Sequence, residues 1–134
     1  MSEAQESPSE TVAAHVRELR GDDLSQRGLA RRMVQLGHRW NDSIVSRVER
    51  GERDVSVNEL VALGLILGAS PSEFLMPGSD VAVGGVTVPQ DLYAPWLEAR
   101  FGKLWLSDAG KLTYDSDLAF EFFKRQGLII EEDQ

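Results

Sequence analysis

Apolar positions recur three and four residues apart through residues 9–77, the period of a helix that turns one face inward. Val12, Val16 and Leu19 form the first set, and Gly21 interrupts it. Leu29, Met33 and Leu36 form a second over residues 25–36, with Ala30 beside them. Val45 and Val48 form a third, which starts at Asn41 and closes at Gly51. Leu60, Leu63 and Leu67 form a fourth that stops at Gly68, and Phe74 and Leu75 belong to a short fifth. The starts carry their own chemistry, because a serine followed three residues later by glutamate satisfies two orphan amides of a first turn reciprocally. Ser7 with Glu10, Ser56 with Glu59 and Ser70 with Glu73 have that form, and Pro71 occupies the position where a missing N–H is harmless. The pattern predicts a mainly α fold, with five helices in one domain over residues 9–77.

The texture changes after Pro77. "VAVGGVTV" alternates valine with small residues around Gly84 and Gly85, which predicts either a short hairpin or one bent strand. "KLWLSDAGKLTY" predicts a hairpin that turns over residues 107–110. Between them "PQDLYAPWLEARFG" predicts a helix started or kinked near Pro95. "DSDLAFEFFKRQG" reads as a capped helix ending at Gly127, and "LIIEEDQ" as a strand or tail. Eight of the ten aromatic residues (Tyr93, Trp96, Phe101, Trp105, Tyr114, Phe120, Phe122 and Phe123) lie in this part, so it is too apolar for a disordered acidic tail. A small C-terminal α+β region over residues 78–134 is expected, after an acidic, disordered N-terminus over residues 1–8.

Composition adds exclusions. Hydrophobic content of 42% and charged content of 27% are globular values. No apolar run approaches the roughly 18 residues that a membrane span needs. The N-terminus has no basic segment followed by an apolar one, so no signal peptide is expected, and the expected location is cytoplasmic. Without cysteine there is neither a disulfide framework nor a thiolate site, and His15 and His38 lie in different elements, so no metal or other cofactor is expected. No nucleophile elbow, phosphate-binding loop or convincing carboxylate pair occurs, and the chain is not read as an enzyme.

The net charge of -8 is unevenly spread. Residues 1–8 carry -2, residues 9–77 carry -1 and residues 78–134 carry -5. Residues 26–53 hold seven arginines against Asp42, Glu49 and Glu52, a local +4. In the third helix Val45 and Val48 supply the inward face, so Asp42, Ser43, Ser46 and Arg47 point outward. An arginine there can bond guanine O6 and N7 bidentately, and serines can donate or accept. Asp42 suits the positive end of its helix and can also accept from cytosine. Ile44 is suited either to a thymine methyl or to the core. Arg27, Arg31, Arg39, Arg50 and Arg53 are candidate phosphate contacts around this helix.

The segments "VRELR" (16–20), "LSQRGLA" (24–30), "IVSRVERG" (44–51) and "LVALGLILGASPSEFL" (60–75), in that order, resemble the Xre family of lambda-repressor-like helix-turn-helix regulators. The resemblance covers about half the chain. It implies a five-helix DNA-binding domain whose third helix lies in the major groove, and a homodimer on a double-stranded DNA operator. It makes Gln26 a contact to the backbone or a base, and pairs Glu49 with Arg20 as a structural lock between the third and first helices. Two departures accompany it. Nineteen residues separate Ala30 from Glu49, about five more than the family pattern, and the loop before Leu24 is about one residue short. The insertion around "QLGHRW" lengthens the second helix or the turn, with Trp40 expected to plug that turn and His38 within reach of DNA. The functional expectation is a transcriptional regulator of the repressor type. The alternative is an antitoxin or interaction module whose acidic, aromatic residues 78–134 dock a partner protein. A third reading of residues 78–134 is a packing extension over the helical domain.

Overall fold

The computed structural model describes residues 5–100, 103–115, 120 and 123–127. Serine and asparagine side chains start most of the helices where the sequence places them. The first helix, α1 (Pro8–Arg20), begins directly after Ser7. Ser25 accepts from the Gly28 amide ahead of α2 (Gln26–Gln35), and Asn41 from the Ile44 amide ahead of α3 (Asp42–Glu49). Both reciprocal bonds of a capping box are made at α4 (Val57–Leu67), by Ser56 and Glu59, and at α5 (Pro71–Leu75), by Ser70 and Glu73. Gly68, at φ 76°, ends α4 in the left-handed conformation that favours glycine.

These helices form one compact unit, Pro8–Met76. Val12, Val16, Leu29, Met33, Val45, Val48, Leu63 and Phe74 fill its core. Gly64 is required by proximity: a Cβ there would lie 2.5 Å from the Ala69 carbonyl oxygen, so α4 can meet the start of α5 only without a side chain at that position. Two expected core residues are exposed. Leu19 lies past the buried face of α1, and Leu36 falls beyond the end of α2, where the helical period no longer turns it inward.

The second unit joins the residues before Pro8 to those after Met76. Its strands are β1 (Gln5–Glu6), β2 (Asp80–Val83), β3 (Val86–Val88), β4 (Leu104–Leu106) and β5 (Leu112–Tyr114), with one helix, α6 (Gln90–Leu97), between β3 and β4. The valine-rich stretch is a hairpin and not a bent strand. Val81 pairs with Val88 and Val83 with Val86 across the Gly84 and Gly85 turn, with Gly84 at φ 58°. β4 and β5 form the second hairpin. α6 begins at Gln90 and carries Pro95 inside it. Val81, Val88, Leu92 and Tyr93 make this unit's own core.

The expectation of a disordered segment over residues 1–8 needs correction at residues 5–8, the part of it that is described. Gln5 and Glu6 pair in parallel with Asp80 and Val81, and Ser79 Oγ donates to Glu6 Oε1 at 3.3 Å, so the edge of β2 organises these residues. No local pattern in "MSEAQESP" announces a strand whose partner lies more than seventy residues away. The expected helix over residues 115–127 falls largely outside the described residues, although Phe120 and residues 123–125 are helical. Phe101, Phe122 and "LIIEEDQ" lie outside them. No helix among the described residues is long and apolar enough to cross a membrane.

Candidate nucleic-acid interface

α3 is eight residues long, about 12 Å at the helical rise, comparable with the width of a B-DNA major groove. Val45, Val48 and Glu49 are buried beneath it, and Ile44 is half-buried against the core. Ser43 and Arg47 are exposed, Ser46 is half-buried, and the three share one face through their spacings of three and four. The Arg47 guanidinium has no ion-pair partner among the described residues. It stays available to an external acceptor.

Two buried carboxylates hold α3 and its surroundings. Glu49 accepts from Arg20 twice, Nε to Oε2 at 2.6 Å and the second terminal nitrogen to Oε1 at 3.0 Å, and from Gln26 Nε2 at 3.0 Å. Arg20 also donates to the Leu24 carbonyl at 3.0 Å, and Arg17 to the Glu49 carbonyl at 2.7 Å. One side chain thereby ties α3 to α1 and to the first residue of α2. Burial alone would raise the Glu49 carboxyl; the hydrogen bonds from Arg20 and Gln26 outweigh it and hold the group below its ordinary range.

The second carboxylate is Glu59, on α4. It accepts from the Trp40 indole at 2.7 Å, from Arg53 at 3.0 and 3.3 Å, and from the Ser56 amide at 2.8 Å. The Arg53 guanidinium also lies 5.3 Å from the centroid of the Trp40 ring. Burial again pushes this carboxyl up, but Arg53, the Ser56 amide and the indole together bring it down to about 2. The site therefore stays ionised at neutral pH.

Glu59 explains how the long connection is held. α2 ends at Gln35 and α3 starts at Asp42, so a turn over residues 36–41 joins them. Gly37, at φ 90°, lets the His38 amide return to the Met33 carbonyl at 3.0 Å. Trp40 then enters the core, 6% exposed, and delivers its one polar atom to Glu59. The plug expected of Trp40 is present, and it is anchored by a charge on α4 as well as by packing.

The remaining cations divide into two groups. Arg31 and Arg39 are exposed without an ion-pair partner among the described residues. Arg27 lies 3.6 Å from Asp42, and Arg50 lies 3.1 Å from Glu52, both as exposed pairs of the kind worth about 0–1 kcal/mol. Such pairs yield readily to a phosphate. Arg27 and Arg31 also line a cavity of about 290 Å³ with Trp40 and Asn41.

Arg53 and Gln26 have partners inside the fold, and Asp42 takes the helix-start place expected of it. Arg53 was expected at phosphate, but its guanidinium is committed to Glu59 and Trp40, because it is the counter-charge that permits a buried carboxylate there. Gln26, expected at a base or the backbone, donates through its amide nitrogen to Glu49. Asp42 works as a helix-start residue, its carboxylate accepting from the Ser43 amide at 3.0 Å and facing Arg27. Arg17 was not anticipated, and Glu59 was anticipated only as the capping partner of Ser56. Glu59 is legible as a capping residue, but its further partners become visible only when Trp40 and Arg53 are brought beside it.

His15 Nε2 lies 2.8 Å from the Met76 carbonyl oxygen, and no group of three His, Asp or Glu residues among the described residues is placed to hold a metal ion. No family model, curated protein or solved structure matches this chain.

Proposed function

We propose that this protein is a sequence-specific, double-stranded-DNA-binding transcriptional regulator of the helix-turn-helix type, acting as a repressor. α2, the turn over residues 36–41 and α3 form the reading module. Ser43, Ser46 and Arg47 face base edges in the major groove, and Arg27, Arg31, Arg39 and Arg50 contact phosphates. The observation that carries this reading is a short helix with two serines and an arginine that has no ion-pair partner among the described residues on its outer face, held from behind by the buried Glu49 and, through its preceding turn, by Glu59. A recognition surface must be rigid while its tips stay free, and this arrangement supplies both.

The excess acid lies mainly outside residues 9–77. It opposes non-specific attraction to DNA, which leaves base contacts a larger share of the affinity. Two copies of the module on a twofold-symmetric operator double the site read, and repression follows from occupying DNA that a polymerase needs. Selection from fragmented genomic DNA with the purified protein tests the proposal. Enrichment of a discrete, inverted-repeat sequence with salt-sensitive affinity is expected, and uniform retention of all fragments or of none would overturn it.

A second reading is favoured by Trp96, Trp105 and Leu106, each at least 40% exposed in the unit that includes β4 and α6. Aromatic surface of this kind docks proteins. In that reading the chain is an antitoxin or interaction module, and it co-purifies with a partner that Trp105→Ala releases.

A further inference from the structure

Trp96 and Trp105 are 40% and 44% exposed, a large apolar surface to leave in water. With Lys103 and Leu104 they line a cavity of about 490 Å³, within the size range of small-molecule sites. Each wall is held by its own neighbours. Trp96, on α6, meets the buried Tyr93 ring edge-on, with 5.6 Å between centroids. Trp105 pairs with Thr113 across the β4–β5 hairpin. Just ahead of β4 the Lys103 amide donates to the Asp115 carboxylate at 2.6 Å, and the Lys103 carbonyl accepts from the Asp115 amide at 3.1 Å. Those two bonds fix the backbone from which the lysine side chain leaves. Lys103 and Trp105 stand two apart in an extended segment, so they share one side of it.

We propose that this cavity binds a small planar molecule of one or two aromatic rings that carries a single negative charge. The rings follow from the walls, because two indoles offer flat apolar surface and leucine adds to it. The charge follows from Lys103. It is the one ionisable side chain among the described residues that line the cavity, and its ammonium has no ion-pair partner among the described residues. The surrounding sequence limits how much charge the ligand can bring. Residues 78–134 carry -5, so a polyanion such as a nucleic-acid strand is repelled by the region that holds the cavity. A cation is drawn to that region at large and is opposed at Lys103. One anionic group within reach of the lysine, on a ring system laid against the indoles, meets both conditions. This is a binding function separate from the reading of DNA, and separate from the docking of a protein on the same tryptophans.

The full-length chain reports on itself, because two of its three tryptophans line the cavity while the third, Trp40, is buried in the helical unit. In proton–nitrogen correlation spectra, 2-naphthoate should shift the Trp96 and Trp105 indole signals saturably, with a Kd below about 1 mM, and leave that of Trp40 unmoved. 2-Naphthylmethanol has the same rings without the charge and should bind about three- to fivefold more weakly, the contribution of one exposed ion pair. Acetate, the charge without the rings, should shift nothing. Lys103→Met should erase the difference between the two naphthyl probes, and Trp105→Ala should abolish the binding of both. Both side chains are exposed, so the helical circular dichroism should stay unchanged in either variant. The site is overturned if no saturable shift occurs below about 1 mM, if Trp40 moves equally, or if the preference for naphthoate survives Lys103→Met. A co-purifying protein that Trp105→Ala releases, without naphthoate binding, also overturns it and leaves the docking reading standing.

Discussion

Glu59→Gln keeps the shape of a side chain that three partners address and removes its charge. The Trp40 indole and the Ser56 amide then compete for one carbonyl oxygen, and Arg53 loses its counter-ion at a position where its side chain is only 29% exposed. Breaking a buried pair by removing one partner costs about 3–5 kcal/mol, and the partial exposure of Arg53 places this one near the lower bound. The titration of Glu59 leads to a similar figure. Its carboxyl falls from 4.5 to about 2, and at about 1.4 kcal/mol per unit this corresponds to about 3 kcal/mol. A depressed carboxylate contributes stability that is fully present above the unfolded value of 4.5 and is lost as pH falls towards 2. The wild type should therefore exceed Glu59→Gln by about 3 kcal/mol near neutral pH, with the gap closing through that acid window. Urea unfolding followed by circular dichroism at a series of pH values measures it. Glu49 titrates in the same direction in both proteins and so cancels from the difference. Two stability curves that run parallel from neutral pH to pH 2 would refute the assignment of Glu59 as a charged anchor.

Arg31→Ala and Arg39→Ala should each lower the slope of log affinity against log salt by about 0.9, measured by fluorescence anisotropy on duplex DNA. Arg53→Ala should leave that slope unchanged and instead lower unfolding stability by about 3 kcal/mol, the opposite of what a phosphate contact would do. Arg20→Ala should cost about 3–5 kcal/mol in urea unfolding, because Glu49 would remain buried without its bidentate partner. Trp40→Phe, which deletes one hydrogen bond to a charged acceptor, should cost about 1.5–3 kcal/mol in the same assay.

Legibility followed the range of the interactions. Helix starts at Asn41, Ser56 and Ser70 depend on residues three apart, so they stand out in the sequence and recur in the structure. The inward faces of α2 and α3 were equally plain, because Leu29, Met33, Val45 and Val48 follow a single period. Leu36 was misplaced because periodicity does not say where a helix stops, and Gly37 stops this one early. The pairing of Arg20 with Glu49, twenty-nine residues apart, came from family resemblance and not from spacing. Arg53 shows what remained hidden. On a one-dimensional reading it is one more cation in a basic stretch, and only the folded turn brings Trp40 and Glu59 to it. The β1 strand was hidden for the same reason, since two polar residues acquire a strand conformation from a distant partner.

The central claim is that the exposed face of α3 reads base sequence. It is tested most directly by measuring the affinity of wild type and Arg47→Ala for a duplex selected by the wild type, and for the same duplex with its guanines exchanged one at a time. The account predicts that Arg47→Ala loses about 1–3 kcal/mol on the selected site, becomes indifferent to exchange of one particular guanine, and retains the wild-type affinity for unrelated DNA. Equal sensitivity of both proteins to every exchange would contradict it.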